Sequence, residues 1–569
     1  MPVASRPAQD RGVYMKKHAR DSFFVVGEGV LEFDQRGHAT TRQPLTIEEL
    51  RRFRFSRLGP KGVQTDEATR IALATAITAD VPQVDSADPP VPAGFTYLGQ
   101  FVDHDMTMDR TEALLGEDVN LGDLMQGRSP ALDLDSVYGR GPNDKNDRAF
   151  YAEDGVKLKM GKSSRTPFPD PRVDVELDGF DLPRKGGSGG TAADRRQPLI
   201  PDLRNDENLV IAQTHLAFIR FHNRVVEELA LKGLVGSQLF HAARETVVRH
   251  YQWMLATDFL PRIVDPAIVE DVFTNGRRFF EVPGENYGGH GIQPTMPIEF
   301  SIATYRLGHS MIRGAYQWNR VFNSAGPGGI ASLLLLFTFT GVSGNFQPGS
   351  GLPELDDPDF GLVETLPTNW IADFRRLYDF TEADRPDLAP PAATGGGNVT
   401  KRIDSLLVNP LTRLPAGTFG GRGTTFTEIQ RNLAFRNLTR ANMVSLASGQ
   451  QMAEFLGVEP LTTEQILTGN EGASLDSLTD EQKTAVTTAT PLWFYILREA
   501  EFNGGLLGPV GGRITAEVFH RAIEGSHTSI VRTPSWRPSL GPDSETFRMT
   551  DLLLFAFEGK GDLLNPLGD

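Results

Sequence analysis

Apolar residues recur at three- and four-residue spacing through residues 208–234, NLVIAQTHLAFIRFHNRVVEELALKGL, and again through residues 243–264, ARETVVRHYQWMLATDFLPRIV. That spacing marks one face of an α-helix and predicts two long amphipathic helices. The same signature returns over residues 298–315, 328–340, 369–379, 426–448, 491–502 and 513–523. Strict alternation, the mark of a half-buried strand, is scarce. The predicted class is therefore mainly α with long loops and little β. Residues 141–200 are rich in Gly, Pro and charged side chains, and GGSGG at 186–190 reads as a loop tip. Residues 1–45 have mixed charge and little period and read as an N-terminal arm with a short strand in SFFVVGEGVLEF. The remainder, 46–569, reads as one large catalytic domain.

The longest apolar run, IASLLLLFTFT at 330–340, is too short to span a bilayer and is expected as a buried helix. The opening residues contain no apolar signal-peptide core, so the expectation is a cytoplasmic protein or export by a non-classical route. A formal net charge of -16 argues against nucleic-acid binding. The chain has no cysteine, which excludes disulfides, iron–sulfur clusters, zinc–thiolate sites and haem held by a thiolate.

Five segments carry candidate chemistry. In YLGQFVDHDMTMD (97–109), a helix would put Gln100, Asp103 and His104 on one face and turn Asp105 roughly 100° away. An imidazole, a carboxylate and an amide on one face can move protons, although an adjacent His-Asp pair also occurs in metal-dependent phosphohydrolases. In SPALDLDSVYG (129–139), Ser129, the Ala131 carbonyl, Asp133 and Asp135 supply hard oxygens suited to Ca²⁺, or simply form a solvated acidic turn. PDLRNDENL (201–209) opens the long helix and sets Arg204 and Glu207 three apart; a helix-start charge pair is the plain alternative. In EFSIATYRLGHSMIR (299–313), His309 follows Gly308, and a glycine inside a helix permits close approach of another group, such as a flat cofactor. In NLAFRNLTRANM (432–443), Asn437 could accept a hydrogen bond from a histidine ring and Arg440 could pair with a carboxylate.

In this order and combination the segments resemble the animal haem peroxidases of the peroxidase–cyclooxygenase superfamily, bacterial members above all. The resemblance runs from about Gly94 to the C-terminus and rests on GQFVDHD, SPALDLDSVYG, RNDE with FIRFHNR, YRLGH and NLTR. It implies haem b and Ca²⁺ as cofactors, and a peroxidase that reduces hydrogen peroxide and oxidises iodide, bromide, thiocyanate or phenols through a ferryl intermediate. His104 would be the distal base, Arg204 would polarise the O–O bond and Gln100 would bind water or a halide. His309 would ligate the iron, with Asn437 accepting a hydrogen bond from its other nitrogen. Arg306 and Arg440 would lie near the propionates. Asp103 and Glu207 would form ester links to haem. Asp105, Ser129, Ala131, Asp133 and Asp135 would hold the calcium ion beside the distal histidine.

Two departures narrow the expectation. Asn208 stands where myeloperoxidase has the methionine that raises its oxidising power, so efficient chloride oxidation is not expected. Fatty-acid dioxygenases of the superfamily place a radical tyrosine three residues before the proximal histidine. Arg306 occupies that place here, with Tyr305 one residue earlier, which favours a peroxidase and leaves a haem-dependent fatty-acid dioxygenase as the alternative. A haem-free protein of the same fold is the third reading; retention of His104, Arg204 and His309 speaks against it.

Overall fold

The computed structural model describes residues 54–81, 90–111, 113–165, 172–282, 294–341, 363–414 and 426–569, together with the backbone of 30–33 and 39–42. Its fold is mainly α. The described strands make four two-stranded ribbons, of which only Phe55–Ser56 with Met296–Pro297 is parallel. Val30–Phe33 pairs antiparallel with Ala39–Arg42, inside the region expected to hold a short strand. The rest of the proposed arm, and its boundary at residue 45, lie outside the described residues.

One connected apolar core extends from Phe55 to Leu564. Its centre is the helix Leu209–Leu231, which packs against Gly94–Met106, Gly236–Met254 and Met549–Ala556. Phe101 stacks on Phe218 with ring centroids 4.4 Å apart and planes 6° apart. Such an offset aromatic pair adds about 0.5–1.5 kcal/mol beyond its buried area. Local chemistry sets the helix ends. Asn208 caps Leu209–Leu231 by accepting from the Ile211 amide at 3.0 Å. Asn432 caps Leu433–Met443 in the same way, and Ser448, Thr462 and Thr479 each form a capping box with a glutamine three residues on.

Three expected helices have other shapes. The 298–315 segment breaks into a π-turn (Glu299–Ala303), a 3₁₀ turn (Thr304–Leu307) and one α-turn (Gly308–Met311). The buried Glu299 carboxylate accepts from the Leu58 and Gly59 amides, pinning this segment to a distant loop. The apolar run at 330–340 is not a helix: Ala331–Ser332 pairs with Ala315–Tyr316, and Leu333–Phe337 forms 3₁₀ turns. Leu333, Leu336, Phe337 and Phe339 are buried but Ile330 is exposed, and the Leu333 amide donates to the Gly314 carbonyl and so extends the strand pairing. Residues 369–379 form separate 3₁₀ turns, because the Asp373 carboxylate takes the Arg375 amide and restarts the chain there. Among the described residues no helix is long and apolar enough to cross a membrane.

Candidate active site

A cavity of about 280 Å³ opens between the Gly94–Met106 helix, the turn Leu203–Asp206, the broken segment ending at Met311 and the Leu433–Met443 helix. Gln100, Asp103, His104, Arg204, Glu207, Arg306, His309, Asn437 and Arg440 all line it. These residues span more than three hundred positions of sequence, and the fold brings them to one place.

On one wall, His104 Nδ1 lies 2.8 Å from Asn205 Oδ1. An amide oxygen only accepts, so Nδ1 carries the proton and Nε2 the lone pair. His104 Nε2 is 4.0 Å from Glu207 Oε1. Burial, with the Arg204 cation beside it, pushes the imidazole down to about 4, so it is a neutral base at pH 7.

Arg204 belongs to a 3₁₀ turn rather than to the long helix, which begins only at Leu209. Asp202 opens that turn. Its carboxylate accepts from the Arg204 amide (3.0 Å), from Nε (3.0 Å) and from one terminal nitrogen (2.7 Å). The same nitrogen donates to the carbonyls of His104 (3.0 Å) and Thr107 (2.7 Å). Asp202 is fully buried and also pairs with Arg128. Burial opposes its charge, but the two guanidinium groups outweigh burial and hold the carboxyl well below its ordinary range. Sequence reasoning missed Asp202, Arg128 and Asn205. An aspartate two residues before Arg204 was a legible cap signal; Arg128 becomes a partner only through the fold.

The two carboxylates in the cavity differ. Asp103 accepts from Thr107 Oγ1 at 2.9 Å and from Arg306 at 3.0 Å. Burial would raise it, but Arg306, His104 and Arg204 together hold it below the ordinary value. Glu207 accepts from Gln100 Nε2 at 2.6 Å, and burial pushes it up to about 8 against the pull of Arg204. Gln100 in turn accepts from Asn208 at 3.1 Å. At neutral pH one acid is ionised and the other protonated.

On a separate element of the cavity lining, His309 Nδ1 lies 2.9 Å from Asn437. The expected contact is present with its direction reversed: the amide nitrogen faces the ring, so Asn437 donates to Nδ1. A half-turn of the amide would restore the expected direction, because its two ends have nearly the same shape. No side-chain atom lies within 4 Å of where a Cβ on Gly308 would stand, so the space over this glycine is open. Arg440 makes no hydrogen bond or ion pair among the described residues, and burial alone lowers it to about 10. A half-buried guanidinium that faces the cavity without a counter-charge among the described residues suits an anion. Arg306, expected beside it, pairs with Asp103 instead. Two imidazoles from separate elements, an open glycine and a cation with no counter-charge among the described residues fit a flat, dianionic metal macrocycle such as haem.

The expected calcium donors are only partly gathered. Asp105 is fully buried and accepts from Ser136 Oγ (3.0 Å) and the Leu134 amide (3.2 Å). Burial pushes it up to about 6 despite a hydrogen bond with Asp135. Asp135 also faces Arg128 at 3.3 Å. Asp133 turns away, accepting from Ser526 at 2.5 Å, and Ser129 accepts from the Ala131 amide. Among the described residues no three His, Asp or Glu side chains are set to hold a metal ion.

The mainly α fold is shared with solved structures of known enzymes. The structure resembles peroxidase A from Dictyostelium discoideum (TM-score 0.52, 14% identity, 88% of this chain and 95% of that one). It also resembles a fatty acid alpha-dioxygenase from Oryza sativa (TM-score 0.53, 12% identity, 94% and 85%). Residues 106–327 match the family model of the animal haem peroxidases. It is 28% identical over 262 residues to a peroxidase-like protein from Margaritifera margaritifera, covering 43% of this chain and 31% of that one. Over 196 residues it is 26% identical to thyroid peroxidase from Canis lupus familiaris, covering 33% and 19%. The matched region thus spans less than a third of the length of these curated relatives.

Proposed function

We propose that the chain is a haem-dependent peroxidase, with residues 46–569 as its catalytic domain. The observation that carries this reading is one cavity walled by a neutral His104 with a bare Nε2, the Arg204 cation held beside it, and a second histidine on a separate element. With the Asn437 amide turned to accept from Nδ1–H, His309 would ligate the iron through Nε2, and Arg440 would meet a propionate. Haem, when bound, supplies the two oxidising equivalents taken from peroxide.

The chain's own residues do the rest. His104 Nε2 takes a proton from hydrogen peroxide and becomes imidazolium, its Nδ1–H still on Asn205. Arg204, which Asp202 keeps charged against the opposing effect of burial, stabilises negative charge on the departing oxygen. His104 can then return its proton to that oxygen, so water leaves. Gln100 orients water or a small anion at the same wall. Asp103 and Glu207 would supply ester links to haem. Asn208 offers no thioether at its position, which favours iodide, bromide, thiocyanate or phenols over chloride as donors.

Asp105 and Asp135, two buried acids sharing a hydrogen bond, would exchange that proton for Ca²⁺, with Ser129 and the Ala131 carbonyl completing the donors. Asp133 could join only by leaving Ser526.

The test is an absorption spectrum of the purified protein with stopped-flow peroxide kinetics. A Soret band is expected. His104→Ala should keep it and slow the reaction with peroxide by about 10²–10⁴, the usual worth of a positioned base. His309→Ala should lose or alter the band. No Soret band after haem is supplied, or near-wild-type rates in His104→Ala, would refute the reading.

Tyr305 supports a second reading, a fatty-acid dioxygenase. Its ring stacks on Phe300 and lines the cavity, and its buried hydroxyl has no hydrogen-bond partner among the described residues. Oxygen uptake with linoleate in the absence of added peroxide, abolished by Tyr305→Phe, would establish it.

A further inference from the structure

We propose that Asn205 and His215 form a positioning pair that holds His104 in the tautomer with its proton on Nδ1 and its lone pair on Nε2. The inference rests on the reading of His104 as the base that accepts the peroxide proton, and adds what sets that base.

All three side chains are buried, Asn205 and His215 completely. The Asn205 amide sits between two imidazoles: Oδ1 is 2.8 Å from His104 Nδ1, and Nδ2 is 2.9 Å from His215 Nδ1. An amide oxygen can only accept and an amide nitrogen can only donate, so one side chain dictates the proton position in both rings. Turning the amide over would move the His104 proton to Nε2 and leave no lone pair there to act. His215 gives the amide nitrogen its acceptor, so that the fully buried Asn205 is satisfied at both ends.

Each member is rigidly carried. Asn205 lies in the turn Leu203–Asp206, where its backbone N–H donates to the Asp202 carbonyl at 3.0 Å. His215 stands two turns into the long central helix, edge-on to Phe101 at 5.9 Å. Phe101 precedes His104 by one helical turn, so the ring that packs on His215 and the ring that uses Asn205 share a face of one helix. Neither Asn205 nor His215 lines the cavity, so the pair acts through His104.

The test separates proton transfer from access. Cyanide enters a ferric haem site as HCN and needs a base to take its proton, whereas carbon monoxide binds the ferrous form without proton transfer. In Asn205→Leu, association of cyanide and reaction with peroxide should both fall by about 10- to 100-fold, the scale on which outer partners act on the groups they orient. Carbon monoxide association should be unchanged, and Asn205→Asp, which still accepts from Nδ1, should recover most of the loss. An unaffected cyanide rate in Asn205→Leu, alongside a slowed His104→Ala, would overturn the pair alone. An unaffected rate in His104→Ala would overturn the base and the pair with it. An equal fall for carbon monoxide would reduce Asn205 to a structural role and overturn the proposal. Independently of any variant, ¹⁵N-histidine NMR of the wild-type ferrous carbonyl form should show the His104 ring protonated at Nδ1; protonation at Nε2 would overturn it.

Discussion

The two cavity acids should differ in when they can bond to haem. Ester formation uses an anionic carboxylate as the nucleophile. Asp103 is held ionised by Arg306, so its link should form equally well across neutral pH. Glu207 is pushed up to about 8 by burial; about a tenth is therefore ionised at pH 7, and about nine tenths at pH 9. The initial rate of the Glu207 link should rise about eight- to tenfold over that interval and change little above it. The Gln100 hydrogen bond at 2.6 Å favours the anion. A hydrogen bond to a charged group contributes about 1.5–3 kcal/mol, part of which the neutral acid keeps, so Gln100→Leu should move the midpoint up by about one pH unit. The assay is limited peroxide turnover at fixed pH, proteolysis, and mass spectrometry of haem-bearing peptides containing residue 103 or 207. A Glu207 link that forms as fast at pH 6 as at pH 9 would refute the assignment of the proton to Glu207.

Phe101→Ala removes a fully buried ring stacked on Phe218 and should cost about 3–5 kcal/mol in urea unfolding; a loss below about 1 kcal/mol would mean that the helices close the gap. Glu499 is buried, accepts from the Val510 and Gly511 amides, and is raised by burial to about 7. The unfolded chain ionises this group from about pH 4.5, while the folded chain keeps the proton until about 7, so stability falls as pH rises between them by up to about 1.4 kcal/mol per pH unit. Glu499→Gln should flatten that stretch of the stability–pH curve, and an unchanged slope would count against the buried proton. If Ca²⁺ replaces the shared proton of Asp105 and Asp135, prolonged EGTA treatment should lower the thermal midpoint and slow peroxide reaction, with recovery on adding Ca²⁺. Asp105→Asn should abolish the response, and an EGTA response that survives the substitution would place the ion elsewhere.

The long helices around residues 209–231 and 236–254 were legible because their apolar period continues over many turns. So was the shared face of Gln100, Asp103 and His104, which needs only the geometry of one helix. The segment at 298–315 has a similar period, but its shape depends on Glu299 bonding to amides some 240 residues away. Asp202 and Asn205 flank Arg204 in sequence, yet their partners at 128, 104 and 215 are joined to them only by the fold. The orientation of the Asn437 amide leaves no trace in the sequence, because either end suits the same side chain.

Arg204 is tethered to the carbonyls of residues 104 and 107, not to the imidazole or hydroxyl those residues carry. Main-chain acceptors are indifferent to the side chain above them. The Arg204 cation and the side chain at 104 can therefore be altered separately: a lineage could exchange the residue at 104 and still inherit an arginine in register. In such a descendant this part of the cavity lining would persist as a binding surface whatever had become of the imidazole.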